Sequence, residues 1–116
     1  MYNFNLDYEN TDEKKQDTKI LEEVNKYYQK LFVYNENVKE YISKRGISEF
    51  SIEKFEIGYA PISIDTINFL KSNHYNLTDA IDLGVIDNGT NGLYSRFIER
   101  ITFPIYSITG KLVGFG

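Results

Sequence analysis

The chain has 116 residues, the length of one ordinary domain, and 41% of them are hydrophobic, which is typical of a globular protein. Cysteine is absent and His74 is the single histidine, which excludes disulfide scaffolds, cysteine-ligated metal centres and multi-histidine metal sites. The formal net charge of −4 argues against nucleic-acid binding by bulk charge alone. No apolar run approaches the roughly 20 residues that span a bilayer, and the N-terminus does not resemble a signal peptide, so we expect a cytoplasmic protein without membrane contact.

Residues 1–17 are expected to form a linker or a short edge strand. Tyr2, Phe4 and Leu6 alternate with polar residues, and a charged stretch follows them. A first helix is predicted next, because apolar residues recur at helical spacing. Its apolar stripe consists of Ile20, Val24, Tyr27 and Leu31, and the residues that flank this stripe are Leu21, Tyr28 and Phe32.

A second helix is predicted near residues 36–45, and Gly46 is its stop signal. The apolar residues that it is expected to bury are Val38, Tyr41 and Ile42. Ser48 is expected to cap a short third helix. The apolar residues of this third helix are Phe50, Ile52 and Phe55.

An extended piece at residues 57–61 separates the third helix from a fourth. Asp65 is the expected N-cap of the fourth helix, because aspartate accepts hydrogen bonds from free backbone N–H groups. Either Asn76 or Thr78 is expected to cap a short fifth helix, which ends at Gly84.

The pattern then becomes typical of strands, which are predicted at residues 85–86, 93–94, 101–106 and 111–116. The first two are expected to pair across a glycine-rich turn at 88–92. Pro104 indicates an edge or a bulge, and Thr109-Gly110 is expected to turn into the last strand. The fold class is therefore α+β, with helices in the first two thirds and a mainly antiparallel sheet after them. Because the pattern stops in a strand, we expect a subdomain of a longer protein.

No self-contained catalytic site is expected in this chain. His74 lies at the polar end of a predicted helix, where a surface or capping role outweighs a catalytic one. Asp79 and Asp82 are three residues apart on a short helix, which resembles a Mg²⁺ pair only weakly. A solvated helix face explains these two acids better.

The last part of the chain is basic, in contrast to the rest. From Tyr94 onward it has three basic residues, Arg96, Arg100 and Lys111, against one acid, Glu99. In one continuous strand Tyr94, Arg96 and Arg100 would share a face. Such a face would suit single-stranded nucleic acid, by base stacking and phosphate contact. The alternative is that the arginines are solvated or internally paired, with Glu99 as the partner of Arg96.

Five blocks of sequence sharpen this interpretation. They are YISKRGI (41–47), FEIGYAP (55–61), AIDLGVI (80–86), YSRFIERITFPI (94–105) and GKLVGFG (110–116). Together they resemble the bacterial DNA primase family of the DnaG type, over residues 20–116. The similar part is the N-terminal subdomain of the RNA-polymerase core, which precedes the Toprim fold. Residues of these blocks with an expected structural role are Gly46, Gly58, Pro61, Pro104, Gly110 and Gly114. Two positions depart from the family: Ser95 replaces an aspartate and Ile98 replaces an arginine.

The resemblance implies a primase that synthesises short RNA primers on single-stranded DNA from NTPs. Residues 18–116 would supply one basic wall of the groove for the template, the RNA–DNA hybrid and the NTP. In this interpretation Arg96, Arg100 and Lys111 bind nucleic acid or NTP, and Tyr94 stacks on a base. No catalytic residue and no metal ligand is expected within the chain.

The resemblance also implies parts that lie outside this chain. These are a Zn²⁺-binding domain, Toprim acids that hold Mg²⁺ or Mn²⁺, and a C-terminal domain that binds the replicative helicase. The chain alone is then expected to be inactive. Two alternatives stay open: a non-catalytic nucleic-acid-binding module of a primase-related mobile-element protein, and an interaction domain that uses its aromatic surface without nucleic acid.

Overall fold

The computed structural model describes residues 19–116, so the expected linker or edge strand at residues 1–17 lies outside the described residues. Within this range the chain forms five helices and six short strands. The helices are α1 (19–34), α2 (Glu36–Lys44), α3 (Glu49–Lys54), α4 (Ser63–Ser72) and α5 (Leu77–Asp82). The strands are β1 (Gly58–Ala60), β2 (Ile86–Gly89), β3 (Gly92–Ser95), β4 (Arg100–Thr102), β5 (Pro104–Tyr106) and β6 (Leu112–Phe115).

Helix α1 lies at the centre of the core because its apolar stripe is wide. Its buried apolar side chains are Ile20, Leu21, Val24, Tyr28 and Phe32. The first four pack in one cluster with residues of the later elements, which are Ala60, Ile67, Leu70, Ala80, Val85, Ile86, Leu112 and Phe115. Tyr27 and Leu31 lie half-buried at the margin of the stripe. The Tyr27 ring stacks on Phe69 with a centroid distance of 4.2 Å, so the margin also packs.

Side-chain caps explain where several helices begin. Asn35 caps α2, Ser48 caps α3 and Asn76 caps α5, each accepting hydrogen bonds from backbone N–H groups of the first turn. The expectations for Ser48 and Asn76 are thus confirmed. The expected Asp65 cap is wrong, because α4 begins earlier, with Ile62 as an N-cap that has no side-chain hydrogen bond. Asp65 lies within the first turn, where its charge suits the helix dipole.

Helix α2 contributes less to the core than its sequence indicates. Ile42 is its one buried residue, Val38 is half-buried and Tyr41 is 50% exposed. The Tyr41 ring instead lies under Arg45, whose guanidinium carbon is 5.3 Å from the ring centroid. The Arg45 Nε–H also donates a hydrogen bond to the Tyr41 hydroxyl at 3.1 Å. Gly46 ends this segment with φ +80°, as predicted.

The six strands form three antiparallel pairs, β1–β4, β2–β3 and β5–β6. The α+β class is confirmed, but one continuous sheet is replaced by three two-stranded ladders. The predicted strand over 101–106 is divided at Phe103, because the residues before it pair with β1 and those after it pair with β6. Strand β1 lies close against α1, since a Cβ on Gly58 would be 2.8 Å from the Tyr28 carbonyl carbon.

The predicted hairpin and the glycine and proline positions fit these ladders. Gly89 lies opposite Gly92 at the end of the β2–β3 hairpin, and Gly92 has φ +111°. Pro104 occupies the first position of β5, opposite Phe115, where a missing N–H is tolerated. Gly110, with φ +86°, turns the chain from β5 into β6. None of the helices described from residue 19 onward is both long and apolar enough to cross a membrane.

Candidate nucleic-acid interface

Arg96 follows β3 at the base of the β2–β3 hairpin. Its backbone N–H donates to the carbonyl of Val85 at 2.9 Å, which fixes this point of the chain. Its Nη1 lies 3.5 Å from Oδ2 of Asp87, and both side chains are exposed. The internal partner is therefore Asp87, and the expected pairing with Glu99 is wrong. An exposed pair contributes about 0–1 kcal/mol, so the Arg96 guanidinium can leave Asp87 at small cost.

Tyr94 lies on the same hairpin as Arg96. It stands opposite Asp87 in the β2–β3 register and is 39% exposed. Its ring lies over Gly89, since a Cβ on that glycine would be 3.0 Å from the Tyr94 Cδ1. Because this ring is partly exposed, it has the chemistry to stack on a nucleic-acid base.

Arg100 lies on a different ladder, opposite Ala60 in the β1–β4 pair. The chain leaves the strand conformation at residues 96–99, where Glu99 has φ +46° and donates its N–H to the carbonyl of Pro61 at 3.4 Å. The prediction of one continuous strand with Tyr94, Arg96 and Arg100 on one face is therefore wrong. The Arg100 side chain is exposed and forms no ion pair with the residues that the structure describes.

Lys111 immediately precedes β6 and lines a polar cleft of about 600 Å³. The other lining residues are Glu22, Asn25, Lys26, Gln29, Glu56, Tyr106, Thr109, Gly110 and Leu112. Lys111 is exposed, and within residues 19–116 no carboxylate forms an ion pair with it. The cleft therefore places an ammonium group beside hydroxyl, amide and carboxylate groups.

A hydrogen-bonded cluster inside this cleft was not predicted from the sequence. Glu56 accepts from the Asn25 side-chain amide at 3.1 Å and from the Tyr106 hydroxyl at 2.6 Å. Asn25 is 4% exposed, so its amide needs such a partner. Partial burial, together with the hydrogen bond to Glu56 and its negative charge, raises the pKa of Tyr106 to about 12. Tyr106 is therefore a neutral hydrogen-bond donor at physiological pH.

The described residues offer anion binding better than metal binding. Within residues 19–116, no three His, Cys, Asp or Glu side chains are grouped closely enough to hold a metal ion. His74 is exposed and lies in the connection between α4 and α5, with φ +60°. Arg96, Arg100 and Lys111, in contrast, are exposed cations. Arg100 lies on the β1–β4 ladder, Arg96 directly follows β3 and Lys111 directly precedes β6, and guanidinium and ammonium groups have the chemistry to bind phosphate.

Comparisons with known proteins identify the family of this chain. A family model described as "DNA primase catalytic core, N-terminal domain" matches residues 27–116. The DNA primase of Campylobacter jejuni is 38% identical and covers 98% of this chain, and that of Helicobacter pylori strain 26695 is 36% identical and covers 88%. This chain spans 19% and 18% of those two proteins, about a fifth of their length.

A solved structure supports the same assignment. A DnaG primase catalytic domain bound to single-stranded DNA is similar with a TM-score of 0.81 and 29% identity. The likeness covers 91% of this chain and 36% of that one. The shared fold thus extends over nearly all the described residues, from the helical part to the three ladders. The chain belongs to the bacterial DnaG-type DNA primase family, in which it corresponds to the N-terminal domain of the catalytic core.

Proposed function

We propose that this chain is part of a DNA primase that synthesises short RNA primers on single-stranded DNA during replication, in the cytoplasm. Its part in that enzyme is to supply one basic wall of the groove for the template, the RNA–DNA hybrid and the NTP. The observation that carries this proposal is the likeness, along 91% of the chain, to a primase catalytic domain that was solved with single-stranded DNA. The three exposed cations give the wall its chemistry.

Arg100 and Lys111 are the stronger phosphate contacts in this proposal. Neither side chain has an acidic partner among the described residues, so neither must break an ion pair to bind. Arg96 must leave Asp87, which lowers its contribution slightly. Three contacts to a single strand predict a slope of about −2 for log K against log salt, because each contact contributes roughly −0.7.

The phosphoryl-transfer chemistry belongs to other parts of the enzyme. Mg²⁺ or Mn²⁺ held by Toprim acids would stabilise the charge that develops on the transferred phosphoryl group. A Zn²⁺-binding domain would help to read the template, and a C-terminal domain would bind the replicative helicase. Under this proposal the chain binds and orients phosphates, and by itself makes no primer.

The test is a titration of labelled single-stranded DNA into this chain at low and moderate salt. Arg100→Ala and Lys111→Ala should each weaken binding about three- to tenfold and reduce the salt slope by about 0.7. Arg45→Ala is the matched control, since Arg45 stacks on Tyr41 at the end of α2. Equal losses for Arg45→Ala and Arg100→Ala would show that only overall charge matters, and an absence of binding by the folded chain would oppose the proposed wall.

Primer synthesis provides a second test, in a protein that contains the complete catalytic core. Arg100→Ala should reduce primer synthesis much more than it lowers thermal stability. An unimpaired Arg100→Ala enzyme would contradict the assigned role, and metal-dependent NTP incorporation by this chain alone would contradict the placement of catalysis elsewhere. Salt-dependent DNA binding without primer synthesis in the longer protein would favour the non-catalytic binding module.

A further inference from the structure

Glu56 has an unusual backbone for its residue type. It connects α3 to β1 with φ +52°, in the left-handed region that residues other than glycine rarely adopt. Such a conformation persists where the surrounding contacts determine it more than local preference does. Here those contacts are the backbone hydrogen bonds that end α3: the Glu56 N–H donates to the Glu53 carbonyl at 3.2 Å, and the Ile57 N–H donates to the Ile52 carbonyl at 3.0 Å. The Glu56 carboxylate is thereby free to accept hydrogen bonds from Asn25 and Tyr106.

The two hydrogen bonds of the Glu56 carboxylate join three parts of the chain that are distant in sequence: α1, the connection between α3 and β1, and β5. Asn25 lies on α1 and is almost fully buried, so its position is fixed by the core. Tyr106 is the last residue of β5 and is 46% exposed, so its ring is not held by burial. The 2.6 Å hydrogen bond to Glu56 therefore ties the end of β5 to the rigid helix.

Hydrogen bonds within the β5–β6 turn connect Tyr106 to Lys111. Ser107 follows Tyr106, and its backbone N–H donates to the Lys111 carbonyl at 2.8 Å. The Lys111 N–H donates in return to the Ser107 Oγ at 3.2 Å. Thr109 shares a hydrogen bond with the same Oγ at 2.9 Å, and Gly110 donates to the Ser107 carbonyl at 2.9 Å. The backbone of Lys111 is thus fixed relative to Tyr106.

We propose that Glu56 is a positioning residue, which together with Asn25 and Tyr106 fixes the β5–β6 turn against α1 and so holds Lys111 at the cleft where it binds a phosphate of single-stranded nucleic acid. The phosphate contact rests on the proposed function, whereas the fixing of the turn does not. Glu56 touches no nucleic acid in this proposal. Its effect reaches the ligand through the placement of Lys111.

The competing explanation is that Glu56 acts only through its charge. A carboxylate in the same cleft as Lys111 lowers the local affinity for anions, so Glu56→Gln would then strengthen DNA binding. The positioning role predicts the opposite sign, because a glutamine amide cannot accept from both donors in the same way. Tyr106→Phe separates the two explanations further, since it removes the donor and leaves every charge in place.

The first measurement needs no DNA. Amide hydrogen exchange is compared between the wild-type chain, Tyr106→Phe and the matched control Tyr34→Phe, whose ring is 74% exposed. The exchange at Lys111 should become at least about threefold faster in Tyr106→Phe, while the core amide of Leu70 stays unchanged. Unchanged exchange at Lys111, or an equal increase at Leu70, would overturn the positioning role.

The second measurement is a double-mutant cycle with a labelled single-stranded oligonucleotide. Tyr106→Phe and Glu56→Gln should each weaken binding about three- to tenfold, and neither should have an effect in the Lys111→Ala background. Tighter binding by Glu56→Gln would overturn the proposal in favour of the charge explanation.

The two measurements distinguish failure of this proposal from failure of the proposed function. Faster exchange at Lys111 in a chain whose wild type binds no DNA would support the fixed turn and contradict the groove wall. Normal binding through Lys111, with exchange unchanged in Tyr106→Phe and affinity unchanged in both Tyr106→Phe and Glu56→Gln, would support the groove wall and overturn the role of Glu56.

Discussion

Gly58 is the point where β1 comes closest to α1, and an alanine there tests how tightly the two elements pack. A Cβ on Gly58 would lie 2.8 Å from the carbonyl carbon and from the Cβ of Tyr28, and 3.0 Å from the backbone nitrogen of Gln29. Tyr28 is fully buried, and the contacted atoms belong to the helix backbone or adjoin it. A rotamer change relieves none of these contacts, so we expect β1 to shift as a strand in Gly58→Ala.

The cost follows from those distances. Carbon atoms pack best at about 3.5–4.0 Å, so the new contacts are short by at least about 0.7 Å. Overpacking by a methylene costs about 1–3 kcal/mol, and contacts with backbone place this case near 3 kcal/mol. Reduced freedom of the unfolded chain offsets about 0.4–1 kcal/mol. The net loss of about 2 kcal/mol corresponds to a fall in Tm of roughly 10 °C for a domain of this size.

Urea unfolding followed by circular dichroism measures this loss, with Gly114→Ala as the matched control. Gly114 is also a strand glycine, but a Cβ there meets no atom within 4 Å. The control should therefore be unchanged or slightly stabilised. Equal unfolding midpoints for the two variants would refute the claim that β1 and α1 are packed backbone against backbone.

Three further predictions concern a helix cap, an ion pair and a tyrosine. Asn76→Ala should lower the free energy of unfolding by about 1 kcal/mol, because two N–H groups of α5 lose their acceptor. The control Thr78→Ala should cost clearly less, and equal urea midpoints for the two variants would contradict the cap. Asp87→Asn should change stability by less than about 1 kcal/mol and tighten DNA binding by releasing Arg96; an unchanged Kd would show that Arg96 makes no contact. The pKa of Tyr106 is raised to about 12 from its usual value of 10.0, so the hydroxyl stays protonated to a higher pH in the folded state than in the unfolded chain. The stability that this hydrogen bond contributes is complete below pH 10 and is lost as the pH rises towards 12, so the free energy of unfolding of the wild type should fall more steeply there than that of Tyr106→Phe. Parallel curves of unfolding free energy against pH would contradict the hydrogen bond.

Local signals in the sequence predict much of the helical part because they act over a few residues. The capping side chains of Ser48 and Asn76 satisfy N–H groups only two or three positions away. Asp65 fails as a cap because the extended residue Ile62 already starts the helix after Pro61. The exposure of Tyr41 was not predictable in this way, since it depends on which faces of α2 the rest of the fold covers.

Long-range pairing explains what the sequence did not predict. Alternation over 101–106 is the same whether one strand has one partner or two half-strands have different partners, so the division at Phe103 was not visible. The charges of Arg100 and Lys111 could be read directly from the sequence, whereas the cluster around Glu56 could not. Its members are 31 and 50 residues apart, and an asparagine on a helix or a glutamate in a loop carries no sign of such a partner.

The β1–β4 ladder has a consequence for the order in which this chain folds. The β2–β3 and β5–β6 hairpins close short turns, but the pairing of Ala60 with Arg100 closes a loop of about 40 residues. Long loops close at a greater entropic cost, so this ladder should form after both hairpins. Arg100 then reaches its place later than Arg96 and Lys111, and partly folded chains present those two residues beside their local hairpins without it.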